Sequence, residues 1–233
     1  MILFLAALCL GLAFAPFPFR FFAFFALVPL FWVVEKGKKV FFWGWLFGFF
    51  AAVFHLWWLW FLVVPVKPIT RLLLNIGVVL LFGYLGLYTG LFSLLIRRFG
   101  LWSAPLILPL LEFVRSRTQI AFPWDLLGYA MTPYTSFIQI AALGGVYLVS
   151  AWLVLVNLLI YRALFSRRRI VYALGLVIVF LIPLGYSLLH IKPTAPWFRV
   201  AIVQPNVSPY DKGDWDSRER IQADLIRLTR EAA

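Results

Sequence analysis

Acidic charge is the scarcest resource in this sequence. Nine of 233 residues are Asp or Glu against 21 Lys or Arg, giving a formal net charge of +12 and a pI near 10.3. Between Glu35 and Asp211 the only carboxylates are Glu112 and Asp125. A single cysteine, Cys9, excludes an intrachain disulfide, and its apolar setting offers no activated thiol. The two histidines, His55 and His190, are far apart in sequence and do not suggest a metal site. No Walker A loop, G-x-S-x-G elbow or H-E-x-x-H helix occurs, so neither a cofactor nor a metal is indicated.

Charge of either sign is also missing over long stretches. The chain is 64% hydrophobic, 19% aromatic and 13% charged, with a mean hydropathy of +0.95. Residues 40–66, 72–96, 126–161 and 170–191 contain no Asp, Glu, Lys or Arg. Each exceeds the roughly 20 residues that an apolar helix needs to cross a bilayer core of about 30 Å. The pattern predicts a mainly α fold: a polytopic membrane helix bundle of seven spans, near 1–15, 19–34, 40–63, 71–96, 101–119, 137–161 and 170–190. The first stretch ends in Ala13-Phe-Ala15 and imitates a signal peptide. It lacks a basic start, and a cut after Ala15 would fall at Pro16, so it reads as a retained span.

The cations sit between apolar runs, which argues against nucleic acid as a partner. Alternating sides puts Lys36, Lys38, Lys39, Arg97, Arg98, Arg162 and Arg167–Arg169 on one face. By the positive-inside rule that face is cytoplasmic, the N-terminus is inside, and Lys192 onward lies outside. The opposite loops carry fewer, namely Arg20, Lys67, Arg71, Arg115 and Arg117. Two small-xxx-small pairs, Gly44/Gly48 and Gly86/Gly90, suit close helix packing within the subunit.

After Pro196 the character changes. Residues 197–204 end in the apolar run Val200-Ala-Ile-Val203 and read as a buried strand, broken by Pro205 and Asn206. Asp216 then stands three residues before Glu219 in capping-box spacing, ahead of a helix with Ile221, Leu225 and Leu228 on one face. The expected organisation is a transmembrane domain, 1–191, and the start of a truncated α/β domain, 192–233.

Polar chemistry in the bundle concentrates between the fifth and sixth spans. On a helix Glu112, Arg115 and Gln119 would share a face. Ionisable groups in or beside a span are costly and serve a function or pair with one another. Two roles fit: a Glu112–Arg115 pair that fixes packing, or an electrostatic site for a lipid headgroup.

Several fragments together resemble one family. Gly11-Leu-Ala-Phe-Ala-Pro-Phe17, Glu112-Phe-Val-Arg115, Phe122-Pro-Trp124, Leu127-Gly-Tyr129, Gln139-Ile-Ala141 with Gly144, and Ser150 with Asn157 are similar to bacterial apolipoprotein N-acyltransferases. Val200-Ala-Ile-Val-Gln204 with Asn206 resembles the first strand of their nitrilase-like (carbon–nitrogen hydrolase) domain. The resemblance implies a multi-pass enzyme of the bacterial inner membrane that uses no cofactor. Its acyl donor would be a phospholipid and its acceptor the N-terminal amine of a diacylglyceryl-cysteine lipoprotein, with a Glu-Lys-Cys triad doing the chemistry. None of the triad maps onto this chain; it would follow Ala233, as would a further span, and the chain by itself is expected to be inactive. Glu112, Arg115, Trp124 and Asp125 are the candidate substrate-binding residues in the bundle. Trp215, in a Trp-Asp pair similar to one near the family's substrate entrance, is the candidate outside it. The alternative is a non-enzymatic scaffold that binds lipid or supports assembly.

Overall fold

The computed structural model describes residues 1–61, 68–190, 200–208 and 215–232, with Trp215 and Asp216 described by backbone only. They belong to two compact units, Met1–Ile191 and Lys192–Ala233. The end of the third expected span and the first residues of the expected strand lie outside the described residues.

The first unit is a bundle of helices of very unequal length. α1 spans Ile2–Leu12, α2 Val28–Lys36, α3 Val40–His55, α4 Pro68–Phe99, α5 Ala104–Ser116, α6 Thr135–Ile138, α7 Ala141–Phe165 and α8 Arg169–His190. Three of them, α4, α7 and α8, are long and apolar enough to cross a membrane, while α1 and α3 are apolar but shorter. The structure therefore supports three of the seven expected spans by helix length. Local chemistry explains the shortfall. Pro16 and Pro18 stop α1, and the chain then makes a 3-10 turn over Arg20–Phe24 before α2 starts with Pro29 in its first turn. At 1.5 Å per residue, α1 and α2 are only about 16 and 14 Å long. α3 likewise gives way to a 3-10 turn over Trp57–Phe61, and α5 has just 13 residues with Pro109 inside.

The break before α2 is repaired from a distance. Asn157 of α7, fully buried, donates to the carbonyls of Ala23 and Leu153 at 2.8 and 2.9 Å. Its Oδ1 accepts the Leu27 N–H at 2.9 Å. At Ala23 and Leu27 the amide thus satisfies backbone groups that a continuous helix would have paired internally, while Leu153 belongs to α7 itself. α7 itself bends near its start, where Gly145 takes φ +65°, a conformation that glycine adopts without steric penalty.

α3 and α4 are held together by their glycines. A Cβ on Gly44 would sit 2.2 Å from Ser93 Oγ, one on Gly48 2.4 Å from Thr89 Oγ1, and one on Gly86 2.7 Å from the Trp45 carbonyl. Without side chains the two backbones approach closely enough for extensive van der Waals packing, which stands in for the hydrophobic effect inside a bilayer. Trp45 Nε1 donates across the same interface to the Gly83 carbonyl at 3.0 Å.

In the second unit α9 covers Trp215–Ala232 and begins one residue before Asp216, so Asp216 falls within the first turn rather than capping it. Of the three residues expected to share one face, Ile221 and Leu228 are half-buried and Leu225 is exposed. Among the described residues there is no strand: residues 200–208 are irregular, with Val200 81% and Ile202 91% exposed. A strand requires a neighbour to complete its hydrogen-bond ladder, and none of the described residues provides one.

The glycine interface gives a direct expectation. Gly44→Ala should destabilise the bundle by about 1–3 kcal/mol through overpacking. Gly77→Ala, where the added Cβ meets nothing within 4 Å, should be neutral or stabilising by up to about 1 kcal/mol. Thermal unfolding of the two variants in detergent distinguishes these outcomes.

Candidate functional site

α5 delivers a short polar stripe to the interior. Glu112 and Arg115 are each 5% exposed. The helix ends at Ser116, so Gln119 leaves the stripe and lies exposed in the segment that follows. That segment, residues 117–131, folds back over α5 through two 3-10 turns, Pro123–Asp125 and Leu127–Met131.

Of the two roles open to these residues, a direct Glu112–Arg115 ion pair is not formed. Arg115 instead grips Asp125 with both terminal nitrogens, Nη2 to Oδ1 at 2.7 Å and Nη1 to Oδ2 at 3.1 Å. Such a fork-to-fork pair is directional and charge-assisted, and it fixes the turn that carries Asp125. Burial pushes the Asp125 carboxyl above its ordinary value, and Arg115 opposes that shift only in part. Glu112 takes a different partner: its Oε1 accepts the Leu127 N–H at 2.7 Å. The adjacent Gly128 N–H is donated to Ser150 Oγ of α7 at 2.9 Å. Gly128 must lack a side chain here, because a Cβ would stand 2.6 Å from the Val146 carbonyl. Three side chains from two helices therefore hold two amides and one carboxylate of the returning segment.

Aromatic residues complete the frame. The Tyr88 ring lies 5.5 Å from the Arg115 guanidinium carbon, within cation–π range. Tyr84 connects to Tyr88 at 3.1 Å and reaches the Ile120 carbonyl at 3.2 Å. Trp124 is 61% exposed and stacks on Trp58 with ring centroids 5.6 Å apart. His55, at the end of α3, lies beside the Trp124 backbone and packs its ring 4.0 Å from that of Phe14. Behind the segment lies a cavity of about 90 Å³, largely apolar, with His55, Glu112, Arg115 and Asp125 among its lining.

The structure brings together four of the five residues expected at the site, Glu112, Arg115, Trp124 and Asp125. Trp215 opens α9 in the second unit. The supporting roles of His55, Ser150, Tyr84 and Tyr88 escape sequence reasoning, since each depends on a contact with a loop whose path periodicity does not specify. No group of three or more His, Cys, Asp or Glu suited to a metal occurs among the described residues. The arrangement positions a loop and presents an aromatic surface.

Removing one member of the ion pair tests the frame. Arg115→Ala leaves Asp125 buried without its countercharge, which should cost about 3–5 kcal/mol. Arg115→Met combined with Asp125→Leu should recover most of that loss. Unfolding midpoints in detergent measure both; an Arg115→Ala variant as stable as the parent would contradict the assignment.

Comparison with known proteins gives consistent matches. Residues 6–159 match the family model for the apolipoprotein N-acyltransferase N-terminal domain. A Geobacter metallireducens protein named apolipoprotein N-acyltransferase is 29% identical over 85% of this chain and 41% of its own length. One of the same name from Allorhizobium ampelinum is 32% identical over 91% of the chain and 44% of its own length. A third, from Chlorobaculum tepidum, is 27% identical over 97% of the chain and 44% of its own length. The chain spans less than half the length of these curated relatives.

Proposed function

We infer the function from one premise: this chain belongs to the apolipoprotein N-acyltransferase family, through its N-terminal domain. The match over residues 6–159 carries the inference. The complete protein transfers a fatty acyl group from a phospholipid to the N-terminal amine of a diacylglyceryl-cysteine lipoprotein, in a bacterial inner membrane. This chain supplies the membrane platform, and the Glu-Lys-Cys chemistry belongs to the part of the relatives' length that it does not span. The short helices complete seven crossings together with their flanking 3-10 turns, leaving the N-terminus cytoplasmic and residues 192–233 periplasmic. Exposed Val200 and Ile202 support a strand role for 200–204, as the first member of a nitrilase-like sheet.

Within the platform, Glu112, Arg115 and Asp125 act through position. They hold residues 117–131 so that Trp124, backed by Trp58, faces the substrate at the membrane boundary. Trp215, in the second unit, is read as a substrate contact of that unit. An exposed indole suits this place because its apolar body meets acyl chains while its N–H stays in the wet interfacial layer.

Acylation of a synthetic diacylglyceryl-cysteine peptide tests the reading. The complete protein, supplied with phosphatidylethanolamine, should add one acyl group, seen by mass spectrometry. Trp124→Ala should raise KM for the lipid about two- to tenfold, the worth of one aromatic contact, with the folded protein level unchanged. Absence of product from the folded complete protein with every phospholipid offered would contradict the assignment.

A further inference from the structure

The C-terminal end of α7 lies far from the site above. Ser150 holds the returning segment, and Arg162 lies twelve residues further on, about 18 Å along the helix axis. There the ends of α2, α4 and α7 meet. Arg162 Nη1 contacts Glu35 Oε1 at 2.9 Å, and the Tyr161 hydroxyl donates to Glu35 Oε2 at 2.5 Å. Arg97 of α4 donates to the carbonyls of Val34 and Glu35. Burial alone would raise the Glu35 carboxyl, but Tyr161 and Arg162 more than offset it and hold it below its ordinary value. Glu35 thus hydrogen-bonds Tyr161 and Arg162, and its charge also acts on the adjacent Lys36.

Beside this corner runs an apolar slot of about 290 Å³, lined by Ile2, Val28, Pro29, Trp32, Leu164 and Phe165. Both of its walls end in positive charge. On α2, exposed Lys36 follows Trp32 by four residues and so stands one turn further along the same face. On the α7 side, exposed Arg167, Arg168 and Arg169 come two to four residues after Phe165. Sorting of cations to one face accounts for a basic loop. It does not account for a slot of acyl-chain character whose two walls both end in cations.

We propose that this slot is a binding site for an anionic phospholipid, its acyl chain lying between Trp32 and Phe165 and its phosphate held by Lys36, Arg167 and Arg168. The site is separate from the reacting lipid's and needs no catalytic domain. In the orientation given above it draws on the cytoplasmic leaflet. Trp32 adds an indole at the depth where ester carbonyls lie, and the cations attract acidic headgroups.

Native mass spectrometry of the full chain, released from nanodiscs of equal phosphatidylglycerol and phosphatidylcholine, tests this. Phosphatidylglycerol should be retained preferentially. Lys36→Gln, Arg167→Gln and Arg168→Gln should each reduce that preference about fivefold. Leu164→Trp, which fills the slot, should lower retention of both lipids while leaving the unfolding temperature unchanged. Equal retention of the two lipids by the parent chain would overturn the proposal, as would undiminished preference in the triple variant. A photo-crosslinker at Leu164, in the chain and in the complete protein, should capture lipid. Capture of a second copy, or of another segment of the complete protein, would also overturn it.

Discussion

A guanidinium and a carboxylate withdrawn from water beside apolar helices must satisfy each other or unfold what surrounds them. The Arg115–Asp125 pair meets that demand with a 2.7 Å ion-pair contact and one hydrogen bond of 3.1 Å, and the path of residues 117–131 follows from it. Once Asp125 is fixed, Leu127 and Gly128 fall within reach of Glu112 and Ser150. Trp124 is then left facing outward on Trp58. A buried pair of this kind adds little net stability over an apolar replacement, but it selects one loop conformation among many. Geometry, rather than energy, is what the site gains.

The same logic recurs wherever the bundle is irregular. Short helices joined by 3-10 turns expose backbone groups that a continuous span would pair for itself. Asn157 answers for the junction at Ala23 and Leu27, Arg97 for the end of α2, and Ser150 for the return after Asp125. Each comes from a long helix and repairs a short one. α4 and α7 thus act as rigid rails, and the broken elements are tied to them by single polar side chains.

Much of this was legible in the sequence, and the limits are physical. The glycine pairs of α3 and α4 were visible because close approach demands small residues at fixed spacing. Glu112, Arg115 and Asp125 stood out because carboxylates are so rare here. Their pairing did not, since helical spacing favours Glu112–Arg115 and the winning partner is set by a loop. Helix length supports three of the seven expected spans for a related reason: hydropathy reports apolar composition, while Pro16, Pro18 and the 3-10 turns decide how much of it is continuous helix. The place of His55 follows from the Trp124 segment packed against it, which sequence spacing does not specify.

Hydrogen exchange at single residues of the returning segment probes the central claim most directly. If Glu112 and Ser150 hold the Leu127 and Gly128 amides as described, these two N–H groups should exchange as slowly as those in the middle of α7, although they lie in a 3-10 turn. Exchange as fast as at exposed Gln119 would mean that the segment is not anchored, and the positioning role assigned to Glu112, Arg115 and Asp125 would be wrong.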